Sequence, residues 1–128
     1  MASMPSSDMI RLDGMLFFGR HGARKEEQTL GQQFQVDIAM EVDLSKPRKS
    51  DRLADTIDYG LVYDTAREVI EGPSRNLLER LADDIAARVL DRFPAKAVRV
   101  RVQKPRLPIH GGVMDGVSIE VYRRRAKR

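Results

Sequence analysis

At 128 residues, with 41% apolar and 33% charged side chains, the chain suits a single domain with a modest core, and no apolar run approaches a transmembrane helix. It has no cysteine, which excludes disulfides, thiolate chemistry and cysteine zinc sites and fits a reducing cytoplasm. The net charge of +4 belongs to one end: five of the 23 basic residues lie in residues 123–128, leaving 18 against 19 acidic. Such a tail reads as a solvated end or as a phosphate-binding arm. The first residues lack the basic start and apolar stretch of a signal peptide. The expected organisation is a flexible extension over 1–8, one domain over 9–123 and a basic tail over 124–128.

In chain order, Met9 to Phe18 reads as a strand, with Ile10, Leu12 and Leu16 against Arg11 and Asp13. Gly14 falls on the apolar side, where a bulge or a close backbone approach fits. A polar loop is expected over Arg24 to Thr29. Phe34, Val36, Ile38, Met40, Val42 and Leu44 then alternate with polar residues or alanine, predicting a strand that pairs with the first as a hairpin. Ser45 to Asp55 reads as a charged connection containing Pro47.

After Asp58, a good N-cap, Tyr59, Val62, Tyr63, Ala66, Val69 and Ile70 recur at helical spacing until Gly72-Pro73 stops them. A second helix is expected from about Asn76 to Arg92, with a stripe that includes Leu77, Leu78, Leu81, Ile85 and Val89. Val98, Val100 and Val102 alternate with Arg99, Arg101 and Gln103 in the next strand, which Pro105 ends. A Pro/Gly-rich loop precedes a last strand carrying Val117, Ile119 and Val121. The order ββααββ predicts an α+β fold, a four-stranded antiparallel sheet with two helices on one face. Long strands with a polar face and free edges are a liability in a monomer, so an oligomer closed into a barrel is expected.

Four residue types fall out of pattern. Lys104 ends the valine face, either as a snorkelling edge lysine or as a partly desolvated ammonium able to serve as a base. Glu79 projects into the apolar arc of its helix. It is either the N3 member of a capping box on Asn76 or a carboxylate offering two oxygens to adjacent N–H donors of a ligand. Tyr59 is either core or a ring that stacks on a flat ligand. Glu26 and Glu27 read as solvated loop glutamates. His21 and His110 make a weak case for metal, and neither a nucleophile elbow nor a phosphate-cradling loop is present.

Several linked motifs, in order and covering about residues 9–123, carry a family resemblance. They are Phe18-Gly19-Arg20-His21-Gly22-Ala23; Glu27 with Gly31-Gln32-Gln33-Phe34-Gln35-Val36-Asp37; Asp51 and Asp55-Thr56-Ile57-Asp58-Tyr59-Gly60; Asn76-Leu77-Leu78-Glu79-Arg80-Leu81-Ala82; and Lys104-Pro105 with Pro108-Ile109. The chain resembles bacterial dihydroneopterin aldolases, folate-biosynthesis enzymes of the tunnelling fold. The resemblance implies retro-aldol cleavage of dihydroneopterin to 6-hydroxymethyl-7,8-dihydropterin and glycolaldehyde, commonly with epimerisation at C2′. It implies no metal, cofactor or Schiff base, because the ring's own C=N accepts the electrons. By the same resemblance Lys104 is the catalytic lysine, Glu79 grips the amino-pyrimidinone edge of the pterin and Leu78 contributes through its backbone. Tyr59 covers the ring and assists protonation, and Glu27, rather than Glu26, lies near the ligand's side chain. It further implies a cytoplasmic homo-octamer with sites between subunits.

Two departures, Arg106-Leu107 before Pro108 and His110-Gly111-Gly112-Val113-Met114 after it, put the side-chain preference in question. The competing readings are a pterin epimerase without aldolase activity and a nucleic-acid-binding module using the tail. Partners are otherwise expected to be small molecules, with no membrane and no nucleic acid.

Overall fold

The computed structural model describes residues 8–126. Strands β1 (Asp8–Gly19), β2 (Gln32–Val42), β3 (Ala97–Pro105) and β6 (Gly116–Arg124) form one antiparallel sheet in the order β1-β2-β3-β6. Helices α3 (Tyr59–Ile70) and α4 (Leu78–Arg92) join its two halves and cover one face. The expected ββααββ frame is therefore the observed one. Residues 1–7, most of the predicted extension, lie outside the described residues; Asp8 itself opens β1.

The core follows from the alternation in the two central strands. Phe34, Val36, Ile38, Met40, Val98, Val100 and Val102 are all buried against the helices. Burying each such side chain contributes about 1.5–3 kcal/mol. Their register is uninterrupted, Val36 opposite Val102 and Ile38 opposite Val100, so every second residue faces the helices. Tyr63 of α3 packs its ring 5.1 Å from Phe17.

β1 departs from the predicted alternation. Leu12 pairs with Ile38 and Met15 with Val36, so Asp13 and Gly14 together oppose Asp37. Gly14 takes φ 69° and donates its N–H to the Asp37 carboxylate at 2.6 Å. This bulge reverses parity: Ile10 and Leu12 face the core before it, Met15 and Phe17 after it. Leu16, expected inside, is 51% exposed.

Three connections are more ordered than expected. The predicted loop at Arg24–Thr29 is largely the short helix α1 (Lys25–Leu30), which has no apolar stripe because it buries no apolar side chain. Ser45–Asp55 holds α2 (Ser45–Ser50) and a single 3-10 turn, Leu53–Asp55. The Pro/Gly-rich segment contains a two-stranded ribbon, β4 (Pro108–Ile109) with β5 (Gly112–Val113).

Arg123, Arg124 and Arg125 at the basic end are held by the fold rather than free in solvent, while Lys127 and Arg128 of the predicted tail lie outside the described residues. Arg124 pairs with Ala97 in the sheet, and its guanidinium meets Glu41 at 3.2 Å. Arg123 reaches Asp83 of α4 at 3.0 Å. Arg125 donates through Nε to the Ala95 carbonyl at 2.9 Å and through Nη2 to the carbonyls of Phe93 and Leu90, at the C-terminus of α4. Those carbonyls have no partner within the helix, and a cation there also meets the negative end of its dipole. Arg125→Ala should cost about 1–2 kcal/mol in urea unfolding. A midpoint equal to wild type would restore the solvated-tail reading.

Candidate functional site

One end of the sheet collects the charged chemistry. β1 finishes at Gly19 opposite Gln32, where β2 begins, and antiparallel β3 ends near them at Pro105, one residue after Lys104. α1 spans the gap between β1 and β2, so its side chains hang over the end of β3. Glu27 of α1 and Lys104 meet there at 2.5 Å, both largely buried. Lys104 is thus an ion-paired ammonium, while Glu26 remains exposed.

The Glu27 carboxylate is held on three sides. Oε2 accepts from Lys104 and, at 3.2 Å, from Gln32 Nε2; Oε1 accepts from the Arg24 N–H at 3.4 Å. The last contact is the N3 glutamate cap that the sequence suggested for Glu79, made instead on α1. Partial burial pulls the Glu27 carboxyl toward protonation. The hydrogen bonds from Lys104 and Gln32, the Lys104 charge and the Arg24 N–H outweigh it, and Glu27 sits below the ordinary carboxylate value. The side chain lies against Gly22, where φ is 152° and a Cβ would overlap the carboxyl group.

His21, considered above only as a weak metal candidate, is buried at 1% exposure. Its Nδ1 accepts from the Arg75 N–H at 2.9 Å, which leaves Nε2–H to donate to the Ile70 carbonyl at 2.6 Å. The ring is therefore neutral with one defined tautomer, standing edge-on to Phe34. Burial lowers its pKa, and the Arg75 and Lys104 charges lower it further, against the opposing effect of the Ile70 carbonyl. Gly22 adds a parallel tie, its N–H donating to the Arg75 carbonyl at 2.9 Å. Flanking glycines with no room for a side chain, Gly19 and Gly22, were the available sequence signal that His21 is packed rather than ligating.

These ties attach the Glu27 corner to the segment that leads into α4. Asn76 is not the N-cap: Leu77 occupies that position, and the Asn76 Oδ1 accepts from Gln28 Nε2 at 3.0 Å. Glu79 is the second helical residue, exposed, and faces an open cavity of about 570 Å³ lined also by Ser74, Arg75, Asn76, Leu77 and Arg80. Its expected place in the buried arc is corrected, because that arc consists of Leu78, Leu81, Ala82, Ile85, Ala86 and Val89. Leu78 is buried, while Leu77 is 53% exposed.

Tyr59 begins α3 and is 68% exposed, not core. Among the described residues, no hydrogen bond or ring contact joins it to Lys104, Glu27 or Glu79. His110 follows the ribbon strand β4, exposed, with φ 48°. No group of three or more His, Cys, Asp or Glu among the described residues is placed to hold a metal. One chain thus brings Lys104 and Glu27 together, ties them to the segment carrying Leu78 and Glu79, and leaves Tyr59 outward.

A lysine–glutamate pair held out of most solvent can exchange protons, and an exposed carboxylate beside a cavity can accept from the N–H donors of a small polar molecule. The dihydroneopterin aldolase (FolB) family model matches residues 10–122. A dihydroneopterin aldolase of Streptococcus pyogenes is 45% identical over 119 residues, covering 92% of this chain and 99% of that protein. The structure of the Escherichia coli dihydroneopterin aldolase in complex with neopterin superposes with a TM-score of 0.82 at 30% identity, covering 91% of this chain and 98% of that one. The Burkholderia dihydroneopterin aldolase bound to guanine gives 0.76 at 25% identity, with 94% and 93% covered. The chain belongs to the dihydroneopterin aldolase family, and it is a carbon–carbon lyase of folate biosynthesis.

The two shifted groups of this corner contribute to the loss of stability in acid. His21 is protonated more readily unfolded than folded, so its contribution is complete above its ordinary pKa of 6.5 and declines as pH falls below it. Glu27 ionises more readily when folded, so its contribution is complete above 4.5 and declines below that. The urea midpoint should therefore fall in two stages between pH 7.5 and 3. A midpoint flat from pH 7.5 to 5 would contradict the buried neutral histidine.

Proposed function

We propose that the Lys104–Glu27 pair performs the proton transfers of dihydroneopterin cleavage while Glu79 and the Leu78 backbone hold the pterin ring. The contact between Lys104 and Glu27 carries this reading, because it puts the expected base on a partner able to take up its proton. In the retro-aldol step the 2′-hydroxyl loses its proton and the C1′–C2′ bond breaks. The bond's electron pair enters the ring C=N, and glycolaldehyde leaves. Protonation at C1′ then gives 6-hydroxymethyl-7,8-dihydropterin. Lys104 faces the hydroxyl and Glu27 fixes its position; the pair, acting as one coupled unit, receives the hydroxyl proton and returns a proton to C1′. Re-addition of glycolaldehyde with the opposite face of its carbonyl turned to C1′ would epimerise C2′ with the same groups.

Two observations support the ring site. Glu79 lies open to a cavity at the first turn of α4. The relatives were solved with neopterin and with guanine, which share a 2-amino-pyrimidinone edge whose paired donors match one carboxylate. Tyr59, exposed and apart from the other groups, fits a contribution from a neighbouring subunit that covers the ring. The free edges of β1 and β6 fit closure into the tunnelling-fold barrel of a homo-octamer. A reducing cytoplasmic setting fits a chain without cysteine.

Lys104→Ala should lower kcat for dihydroneopterin by about 10²–10⁴-fold while still binding neopterin. Glu79→Ala should chiefly weaken pterin binding. Unchanged cleavage in the first, or normal affinity in the second, contradicts the assigned roles.

Sedimentation should show an octamer, and co-refolding Lys104→Ala with Tyr59→Phe chains should restore some activity that neither has alone. A stable monomer, or no complementation by mixed oligomers, would count against the shared site.

A further inference from the structure

We infer that Gln28 is a positioning residue for this reaction, holding the Glu27–Lys104 pair at a fixed spacing from Glu79 through its hydrogen bond to Asn76. The inference rests on the aldolase roles proposed above. α1 is six residues long and buries no apolar side chain, so apolar packing does not fix it. A helix that short has little stability of its own, and polar contacts must hold it in place. Glu27 is anchored to β3 and to Gln32, but neither contact reaches α4.

Gln28, the next residue, makes that crossing. Its amide nitrogen donates one hydrogen to the Gly22 carbonyl at 2.8 Å and the other to Asn76 Oδ1 at 3.0 Å. The first bond presses the amide onto the same turn against which the Glu27 carboxyl lies. The second ends three residues before Glu79, at the entrance to α4. Asn76 has the composition of a helix cap and does not act as one, because Leu77 holds that position. The Gln28–Asn76 bond gives the asparagine a different purpose. Losing it would leave both halves of the site chemically whole and the turn still tied to Arg75 through His21 and Gly22, but α1, which carries Glu27, would no longer be tied directly to the entrance of α4. Such a change lowers turnover more than affinity, since an offset of about 1 Å costs up to about a hundredfold in rate.

The test compares wild type, Gln28→Met, Asn76→Ala, the double variant and Asn76→Asp. It measures kcat and KM for dihydroneopterin, neopterin affinity by fluorescence titration, and the melting temperature. Gln28→Met and Asn76→Ala should each lower kcat about tenfold or more. Neopterin affinity should stay within about threefold, and the melting temperature should be nearly unchanged. The double variant should be no worse than the poorer single one, because both remove one interaction. Asn76→Asp keeps the acceptor oxygen and should hold kcat within about threefold of wild type. Wild-type kcat in Gln28→Met, losses that multiply in the double variant, or equal losses of kcat and affinity would each overturn the inference. Absence of cleavage by the wild-type enzyme removes the aldolase roles and the inference with them; cleavage by wild type with undiminished kcat in Gln28→Met removes the inference alone.

Discussion

Glu27 and Lys104 stand 77 positions apart and meet at 2.5 Å, and most of the functional end of the molecule is arranged to allow that contact. Two strand registers must hold at once. β1 against β2 fixes where α1 can hang, and β2 against β3 fixes where the β3 strand stops. Neither charge is fully in water, so each depends on the other to offset the cost of its own desolvation. Gln32 and the Arg24 N–H complete the carboxylate's partners, which keeps the arrangement from resting on Coulomb attraction alone. The pair is therefore a clamp on a loosely held helix as well as the proposed chemical centre.

The central strands were legible because nothing interrupts their period of two: valines and arginines take opposite faces from Val98 to Val102, as the bare pattern requires. β1 was legible as a strand but misread in orientation beyond Gly14, since a bulge is visible only once the partner strand is present. α1 escaped notice because a helix held by polar contacts leaves no apolar period. The Glu79 side chain was placed by extending a helical wheel into the first turn, where the helix borders an open cavity rather than the core. Residues of the site itself emerged through linked motifs more than through spacing. Periodicity cannot say that Glu27 rather than Glu26 meets a lysine from the far end of the chain.

His21 shows a different limit. A search for metals or nucleophiles treats histidine as a reagent, but here both ring nitrogens are spent on backbone groups, the Arg75 N–H and the Ile70 carbonyl. The ring joins the end of α3 to the segment before α4, beneath the corner where Glu27 lies. Arg125 makes a comparable use of a residue that reads as solvent-facing, spending its donors on backbone carbonyls after α4. In both cases the side chain substitutes for backbone hydrogen bonding that the sheet and helices leave undone, a role that composition does not advertise.

The bulge at Asp13 and Gly14 makes the site depend on counting. Because the two residues share one partner position, the half of β1 beyond them is turned over relative to the half before. Phe17 then points inward, and Phe18 lies outside under Gly31, where α1 ends. Closing the bulge at unchanged length would slip the register by one residue and invert everything from Met15 to Gly19, sending Phe18 into the core and twisting the turn that leads to His21. Single-residue length changes between Met15 and Gly19 should therefore be far rarer among functional variants than side-chain exchanges on the outer face. Gly14 has open space around it, so it is constrained by its backbone angle and by the parity of the chain rather than by crowding.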